Sequence, residues 1–372
     1  MKITYVHGIC MQHDAISNSL RDEMRWLMQD HDVRLFTYAC DHADLPYTIV
    51  NNVTDLVFDP HFQQSDVVVF HFGVYYPLFD AIVVCPQQAR CLVVFHNITP
   101  KAFVPEAHHE TVERSFEQLS NVLFAHHVAC DSQTNLDVLR EAGINGGATV
   151  LPLALHSHQV PPPHKPSALD HKVRLAFVGR FVKSKGITEL LAALEQLLRL
   201  APLMQFQLEM IGNLKFSDAA LIAELHTIIA RLHRQFGTRA TITVHGNASE
   251  EVKARVLRDA DIFVLPTYHE GFCVPILEAL ASGCRVVSYD NSNVPSISGG
   301  LATLVPTGDV HALAAALGAE ASLVTSPAWR DRHADGYRSY AERATTYTDS
   351  FHPERIRRRF LALIRDFSRS TH

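Results

Sequence analysis

Short apolar runs alternate with segments of helical spacing along almost the whole chain of 372 residues. This alternation predicts a parallel sheet that is covered by helices on both faces. One helical segment has a single apolar face, formed by Ile16, Leu20, Met24, Leu27 and Met28. The apolar runs predict strands at Ile3–Val6, Val33–Tyr38, Val67–Phe70, Leu92–Phe95, Val122–Ala125, Thr149–Leu151, Leu175–Val178, Phe206–Ile211, Ile242–Val244, Ile262–Leu265 and Arg285–Ser288.

A proline-rich segment divides this pattern into two halves. Four prolines fall between Pro161 and Pro166, which excludes a helix or a central strand there. We therefore predict two doubly wound domains, residues 1–155 and residues 172–350, joined by an extended linker at 156–171. Ligands of such domains bind at the carboxyl ends of the strands, so we expect the two domains to face a cleft.

The C-terminal segment, residues 351–372, has the pattern of a basic amphipathic helix. Its apolar face consists of Ile356, Phe360, Leu363, Ile364 and Phe367. We expect this face to pack back on the N-terminal domain. Peripheral contact with anionic lipid at the inner face of the cell membrane is the alternative that the pattern leaves open.

The composition is typical of a soluble globular protein. Hydrophobic residues make up 47% and charged residues 19% of the chain. No apolar run reaches the ~20 residues that a membrane span needs. The seven cysteines are scattered and form no Cys-x-x-Cys pair, which favours reduced thiols and a cytoplasmic location.

The charge is distributed unevenly between the two halves. Residues 1–165 carry 9 Lys and Arg against 18 Asp and Glu, whereas residues 166–372 carry 24 against 21. The acidic first half argues against a surface that binds nucleic acid. The more positive second half is where we expect an anionic ligand.

Two carboxylates bracket a turn and a helix start in the run from Tyr268 to Ala279. Pro275 suits the first turn of a helix, which places Glu270 in the preceding loop and Glu278 about one turn inside. The N–H groups of residues 271–273 would then be unpaired at a helix N-terminus, which attracts phosphate. Acids beside a phosphate site suit a ligand that also carries hydroxyl groups, such as a nucleotide-sugar.

A second motif combines a strand end with positive charges. In the run Val178–Gly186, Arg180 can hold two phosphate oxygens with its planar guanidinium, and Lys185 adds a point charge. The 23 histidines do not show the spacing of a metal-binding helix. We therefore expect no metal and no cofactor, because the basic residues can neutralise a diphosphate.

These motifs, in this order, resemble the second domain of family-4 retaining glycosyltransferases, also called group 1, which have the GT-B fold. The resemblance extends from about Val173 to Leu317, and within this range it includes His245-Gly246 and Ala281-Ser282-Gly283. The first half is similar more loosely, at His96-Asn97 and at Cys130-Asp131-Ser132. Within the family, the run His96-Asn97-Ile98-Thr99-Pro100 resembles bacterial polysaccharide and O-antigen mannosyltransferases.

The resemblance implies a role for each matching residue. Glu270, His96, Arg180 and Lys185 would be catalytic: the two cations would neutralise the donor diphosphate, while Glu270 and His96 would contact the hexose. Glu278 would accept hydrogen bonds from the ribose. The implied donor-binding residues are Gly8, Arg180, Lys185, Gly271, Phe272, Cys273, Val274 and Glu278. The single glycine after the first strand and the cysteine at position 273 depart from the family pattern.

The function that follows from the resemblance is hexose transfer from a nucleotide-sugar to a hydroxyl of a glycan or lipid-linked acceptor. GDP-mannose is the preferred donor, and UDP-linked glucose, galactose or N-acetylglucosamine is the alternative. A non-catalytic protein that binds nucleotide-sugars stays open, as does an epimerase or phosphorylase of the same fold. A dinucleotide-dependent oxidoreductase is disfavoured, because Gly8 stands alone where Gly-x-Gly-x-x-Gly would be needed.

Overall fold

The computed structural model describes residues 1–12, 14–156, 161–162, 164–165, 172–214, 217–331 and 335–369. The chain divides into two compact units. Unit 1 comprises Met1–Ala154 together with Phe351–His372, and unit 2 comprises Leu155–Ser350. Each unit is built around its own parallel sheet, so the predicted class of two doubly wound α/β domains is confirmed.

The strands follow the predicted apolar runs closely, with a few additions. They are β1 (Lys2–Val6), β2 (Ile9–Cys10), β3 (Asp32–Thr37), β4 (Ala39–Cys40), β5 (Tyr47–Ile49), β6 (Val67–Phe72), β7 (Arg90–Phe95), β8 (His127–Cys130), β9 (Ala148–Val150), β10 (Lys172–Val178), β11 (Gln205–Gly212), β12 (Ala240–Gly246), β13 (Ile262–Leu265), β14 (Arg285–Tyr289) and β15 (Ala302–Val305).

The α-helices alternate with these strands. They are α1 (Ala15–Leu27), α2 (Val53–Val57), α3 (Pro60–Gln63), α4 (His109–Gln118), α5 (Gln133–Glu141), α6 (Ile187–Leu200), α7 (Ala219–Phe236), α8 (Glu250–Asp259), α9 (Val274–Ala281), α10 (Val294–Ile297), α11 (Val310–Val324), α12 (Pro327–Arg330), α13 (Gly336–Thr348) and α14 (Pro353–Arg369).

The main sheet of unit 1 has the order β5-β3-β1-β6-β7-β8-β9, and its strand pairs are parallel. The chain moves outward from β1 to β3 and then returns to β6 on the other side. The direction of winding therefore reverses between β1 and β6. In doubly wound sheets, ligands bind at the carboxyl ends of the strands beside such a switch point.

Helix α14 belongs to unit 1, although it follows unit 2 in the sequence. Its buried side chains, Ile356, Phe360, Ile364 and Phe367, lie in one hydrophobic core with Leu20, Met24 and Leu27 of α1. Arg359 donates a hydrogen bond to the carbonyl oxygen of Val150 at 2.7 Å. The apolar face of this helix is thus occupied by protein, which leaves only its basic face exposed.

One predicted strand is wrong. Residues Val122–Phe124 form the end of a 3₁₀ helix, Leu119–Phe124, and only Ala125, which follows it, has an extended backbone. Leu119 and Val122 are buried on the inner side of this turn, while Leu123 and Phe124 are 65% and 54% exposed. The run is apolar on both faces, so its composition resembled a buried strand. The strand of this region is β8, which begins two residues later.

The sheet of unit 2 has the order β12-β11-β10-β13-β14-β15, again with parallel pairs. Its winding reverses between β10 and β13. The edge strand β15 has partly buried residues at three of its four positions, and the apolar pattern of the sequence did not predict it. The loops after β10 and β13 carry the two motifs singled out in the sequence.

Two helix starts in unit 2 agree with the sequence rules. Ser249 caps α8 by accepting a hydrogen bond from the N–H of Val252 at 3.3 Å. Pro275 lies in the first turn of α9, and Glu278 lies one turn inside that helix, as predicted. Most of the predicted linker, 156–171, lies outside the described residues; within it, Lys165 is buried in unit 2 and donates hydrogen bonds to the carbonyl oxygens of Arg258 and Ser282.

Candidate active site

The candidate site of unit 2 is built from the two loops at its switch point. β10 leads into Gly179 and Arg180, whose side chain is exposed. A 3₁₀ turn, Lys183–Lys185, follows and ends at Gly186, which begins α6. The loop after β13 runs alongside it. The two motifs, which are far apart in the sequence, therefore lie side by side at one edge of the sheet.

The two loops are held together by backbone contacts. The carbonyl oxygen of Ser184 accepts hydrogen bonds from the N–H of Tyr268 at 2.8 Å and from the hydroxyl of Thr267 at 3.1 Å. Gly186 has a φ of 61°, and a Cβ atom at this position would lie 2.0 Å from the carbonyl oxygen of Pro266. Only glycine combines this left-handed conformation with so close an approach. The position of Lys185 is therefore fixed by the loop that carries Glu270.

Lys185 and Glu270 form an ion pair in which Nζ lies 2.5 Å from Oε1. Their side chains are 15% and 9% exposed, respectively. The two residues are 85 positions apart in the chain and came from separate motifs. A cation and a carboxylate in contact at a strand edge can bind the charged and hydroxyl-bearing parts of one ligand.

Glu278 forms a second ion pair, with a residue that the sequence analysis missed. Lys253 of α8 donates to Glu278 Oε1 at 2.7 Å and lies 2.8 Å from Glu250 Oε2. Burial raises the pKa of the Glu278 carboxyl, and the Lys253 ammonium opposes part of that rise. Burial disfavours the charge of Lys253, but the two carboxylates outweigh it and hold its pKa above the usual value. The spacing of Glu250 and Lys253 was the available signal; the pairing with Glu278 needs the fold.

Cys273 is the N-cap of α9 and has a φ of 82°, in the left-handed region that favours glycine. Its side chain is buried. Burial, with Glu270 nearby, raises the pKa of its thiol well above the usual value, so the protein groups around Cys273 disfavour the thiolate. Next to it, the carbonyl oxygen of Phe272 accepts from Asn293 at 2.9 Å. Gly271 and Val274 flank this pair, and Gly271 and Phe272 also make other interactions.

The predicted site residues of unit 1, Gly8 and His96, lie at the carboxyl ends of β1 and β7. The carbonyl oxygen of Gly8 accepts from Tyr38 and Thr37, and a Cβ atom on Gly8 would lie 3.2 Å from Cβ of Tyr76. The small size of Gly8 thus serves internal packing against Tyr76.

His96 uses both ring nitrogens inside unit 1. Nδ1 lies 2.6 Å from Asp131 Oδ2, and Nε2 lies 2.8 Å from His71 Nδ1. The side chain of His96 is 2% exposed. A direct hydrogen bond from either nitrogen to a sugar, which the resemblance implies, is therefore not available in this arrangement. His71 in turn contacts Glu23 of α1 at 3.1 Å.

The buried groups around His96 have perturbed acidities. Burial raises the pKa of Glu23 to about 8. Burial, and then the neighbouring His96, lower the pKa of His71 well below its usual value. For His96 burial acts in the same downward direction, but Asp131 and Glu23 outweigh it and raise its pKa. A proton within this cluster is therefore held by Glu23 or by His96.

Within the described ranges, no group of three His, Cys, Asp or Glu side chains is arranged to hold a metal ion. None of the helices that the structure describes combines the length and the apolar character needed to span a membrane.

The comparison with protein families identifies one stretch of unit 2. A family model described as glycosyl transferases group 1 matches residues 172–319, the stretch that contains the Lys185–Glu270 and Lys253–Glu278 pairs. These residues form a group 1 glycosyltransferase domain. The resemblance seen in the motifs is thereby confirmed.

Curated relatives of this glycosyltransferase domain come from several bacteria. The amylovoran biosynthesis glycosyltransferase AmsK of Erwinia amylovora is 31% identical over 161 residues, which cover 40% of this chain and 36% of AmsK. The MMP alpha-(1->4)-mannosyltransferase of Mycolicibacterium hassiacum is 30% identical over 149 residues (39% and 33%). The O-antigen chain mannosyltransferase B of Escherichia coli is 30% identical over 140 residues (37% and 34%). The chain spans about a third of the length of these relatives.

Solved structures extend the similarity beyond the glycosyltransferase domain. Sucrose-phosphate synthase from Thermosynechococcus elongatus superposes with a TM-score of 0.71 at 19% identity and covers 99% of both chains. An α,α-trehalose 6-phosphate synthase from Burkholderia multivorans gives 0.69 at 14% identity and covers 98% of this chain and 96% of that one. At these identities the match shows the fold, and it confirms the predicted GT-B type.

Removing the ammonium of Lys253 is expected to destabilise unit 2. In Lys253→Met, Glu278 keeps its burial but loses its partner, and such a change costs about 1–3 kcal/mol of unfolding free energy. The loss should grow as pH rises above the range in which an ordinary glutamate ionises, because a buried carboxyl with a raised pKa loses its native-state advantage when it ionises. Urea unfolding at several pH values measures this.

The matched control is Glu250→Gln, which removes only the outer carboxylate of the same cluster. The Glu250 side chain is 70% exposed, so this change should cost less than about 0.5 kcal/mol. Equal effects of the two variants would mean that the Lys253–Glu278 contact contributes no more than an ordinary surface pair.

Proposed function

We propose that this protein is a retaining hexosyltransferase of polysaccharide or glycoconjugate biosynthesis. It takes a hexose from a nucleotide diphosphate sugar, with GDP-mannose as the preferred donor, and passes it to a hydroxyl of a glycan or lipid-linked acceptor. The observation that carries the proposal is the Lys185–Glu270 contact at the switch point of a group 1 glycosyltransferase domain.

The reaction develops charge that the residues of unit 2 can stabilise. The bond between the sugar C1 and the diphosphate oxygen breaks, so negative charge grows on the leaving diphosphate. Arg180 is exposed and Lys185 is half-buried at the same strand edge, where both can stabilise that charge as it develops. Glu270 is placed to accept hydrogen bonds from hexose hydroxyls, and Glu278 from ribose hydroxyls.

Retention of configuration requires the acceptor oxygen to attack from the face that the diphosphate leaves. The new bond joins that oxygen to C1, and the proton of the acceptor hydroxyl passes to an oxygen of the departing diphosphate. This route needs no side chain as the general base. It agrees with a site in which the carboxylate nearest the cations, Glu270, is already paired with Lys185.

The names of two relatives support mannose as the transferred sugar. The proteins of Mycolicibacterium hassiacum and Escherichia coli are both named mannosyltransferases. A UDP-linked hexose is the alternative donor, because Lys185, Glu270 and Glu278 would treat the sugar and ribose hydroxyls of either nucleotide alike.

Thermal unfolding with GDP, UDP and ADP, each free and linked to a hexose, tests the donor. A ligand at 100 times its dissociation constant adds about 2.7 kcal/mol to the unfolding free energy, and GDP-mannose should raise the melting temperature most. Glu278→Gln should weaken that nucleotide about tenfold or more, because it removes a charged hydrogen-bond acceptor. Glu250→Gln serves as the exposed control.

Incubating the protein with the preferred donor and a panel of acceptors then separates transfer from simple binding. Binding of a nucleotide-sugar without transfer to an acceptor and without slow donor hydrolysis would favour a non-catalytic protein. If none of these nucleotides stabilised the chain, the proposed function would be untenable.

A further inference from the structure

Four buried ionisable side chains in unit 1 form an unbroken hydrogen-bonded chain. Glu23 Oε2 lies 3.1 Å from His71 Nε2, His71 Nδ1 lies 2.8 Å from His96 Nε2, and His96 Nδ1 lies 2.6 Å from Asp131 Oδ2. The four side chains are between 0% and 5% exposed. A carboxylate thus ends the chain on each side, and both imidazoles lie between them.

The topology of unit 1 brings these residues together at one place. His71 is the penultimate residue of β6, and His96 and Asp131 directly follow β7 and β8, so all three lie at the carboxyl edge of neighbouring strands. Glu23 reaches them from α1. The imidazole rings of His71 and His96 have centroids 5.0 Å apart and planes inclined by 23°, so they meet edge to edge through the nitrogen–nitrogen contact. Asn97, at a φ of 72°, fixes the turn after His96 through its hydrogen bond to Asn135.

Further polar groups surround this hydrogen-bonded chain, and within the described residues none of its hydrogen bonds or ion pairs is with a Lys or Arg. The hydroxyls of Tyr5 and Ser19 donate to Glu23 at 3.3 and 3.2 Å. His7 contacts the carbonyl oxygen of His71, and burial lowers its pKa to about 3, which keeps it neutral. Asp14 acts on His96 electrostatically from the start of α1. The groups that face the chain therefore leave Glu23, His96 and Asp131 as its charge carriers.

Two arrangements of hydrogens satisfy every bond of the chain. In the first, Glu23 is protonated and donates to His71 Nε2, while His71 Nδ1–H donates to a neutral His96. In the second, Glu23 is ionised, His71 Nε2–H donates to it, and His96 is an imidazolium whose Nε2–H donates to His71. Asp131 accepts from His96 in both. The two arrangements contain the same number of protons, so they interconvert by moving two hydrogens without exchange with solvent.

The two ends of the hydrogen-bonded chain, Glu23 and Asp131, border the same small cavity. Glu23, Ser19 and Asp131 line it, together with Trp26 and residues of the segment that follows β9. Its volume of about 10 Å³ has room for roughly one water molecule. The chain therefore has a place where protons can also exchange with solvent when pH changes.

We propose that Glu23 and His71 are positioning residues that set the charge of His96. When an anionic group of a substrate lies at the carboxyl edge of the unit 1 sheet, a proton moves along the hydrogen-bonded side chains onto His96. The proton returns to Glu23 when the group leaves. This inference rests on the proposed function, whose substrates carry phosphate groups. Because the ring of His96 is buried, its charge acts on that group through space, where a low dielectric strengthens the interaction.

Nitrogen-15 NMR of the histidine side chains tests the proton arrangement directly. We expect the resonances of His71 and His96, assigned with the variants His71→Asn and His96→Asn, to titrate together as one shared proton is lost on raising pH. Adding GDP or UDP should move His96 toward the imidazolium pattern and His71 from the Nδ1–H to the Nε2–H tautomer at constant pH. Independent titration of the two rings, or unchanged tautomers with bound nucleotide, would overturn the proposal.

Kinetics of the variant Glu23→Gln provide the second readout. Without the Glu23 carboxylate, His96 loses an anionic partner and protonates less readily. We expect the alkaline limb of the pH profile of kcat to move to lower pH, with kcat reduced about tenfold at pH 8 and the KM for the donor changed less than about threefold. Glu117→Gln, an exposed carboxylate of α4, should leave the profile unchanged.

Two further results keep this inference separate from the proposed function. If Glu23→Gln does not fold, Tyr5→Phe removes one donor to Glu23 and should lower kcat at pH 8 by a smaller factor, since ionised Glu23, which supports a protonated His96, is then less favoured. If the protein transfers no sugar at all, the titration of His71 and His96 in the free protein still tests whether the two residues share a proton.

Discussion

Glu270→Ala is expected to lower sugar transfer by about 100-fold or more while unit 2 remains folded. The variant removes the proposed acceptor for the hexose hydroxyls, and it releases Lys185 from the position in which the 2.5 Å contact holds it. Losses of this size are typical when one preorganised polar group of an active site is removed. Initial rates with the preferred donor measure the effect, and circular dichroism checks the fold.

Because Lys185 and Glu270 are in contact, we also expect a specific result for the double variant. Lys185→Ala should cause a loss of similar size, and the double variant should lose little more than the worse single variant, because neighbours that act together are not additive. Glu251→Ala, which removes an exposed carboxylate in the first turn of α8, is the control. Activity of Glu270→Ala near that of the control would remove Glu270 from the site.

Gly186→Ala should have the largest effect on stability, with a loss of about 3 kcal/mol or more in the unfolding free energy of unit 2. A left-handed conformation costs an alanine about 1–2 kcal/mol, and overpacking adds about 1–3 kcal/mol, because the new Cβ would lie 2.0 Å from the carbonyl oxygen of Pro266. Relief of that clash must separate the loops that bring Lys185 to Glu270. Urea unfolding and transfer rates should therefore fall together.

Gly300→Ala is a control for the backbone term. Gly300 has a φ of 72°, and no atom lies within 4 Å of the Cβ position, so alanine should cost only about 1–2 kcal/mol there. The difference between the two variants then measures chiefly the close approach at Gly186. A Gly186→Ala variant no less stable than Gly300→Ala would show that the two loops can separate freely.

The parts of the site that local rules control could be predicted from the sequence. Pro275 placed the start of α9, and the spacing from it placed Glu278 one turn inside. Gly186 and the cations before it marked the end of the β10 loop. The expected identity of the domain also followed from these motifs, because each is short and its residues lie close together in the chain.

What the sequence could not predict depends on partners that are distant in the chain. Glu23 is a charged residue on the buried face of α1, and its hydrogen bonds to Tyr5 and to His71, 48 positions away, explain why it can be buried there. Lys253 looked like a surface residue of α8 until the fold placed it beside Glu278. At Val122–Ala125, hydrophobicity without a period could not distinguish a buried strand from an exposed 3₁₀ turn.

The place of α14 in the core of unit 1 has a consequence for synthesis. On the ribosome, residues 1–154 emerge first, yet the surface of α1 that Ile356 and Phe360 cover stays bare until residues 353–367 have also been made. Unit 2 is translated entirely in between. Unit 1 therefore cannot complete its core until unit 2 has been translated. Until then, the apolar surface of α1 is open to misassociation.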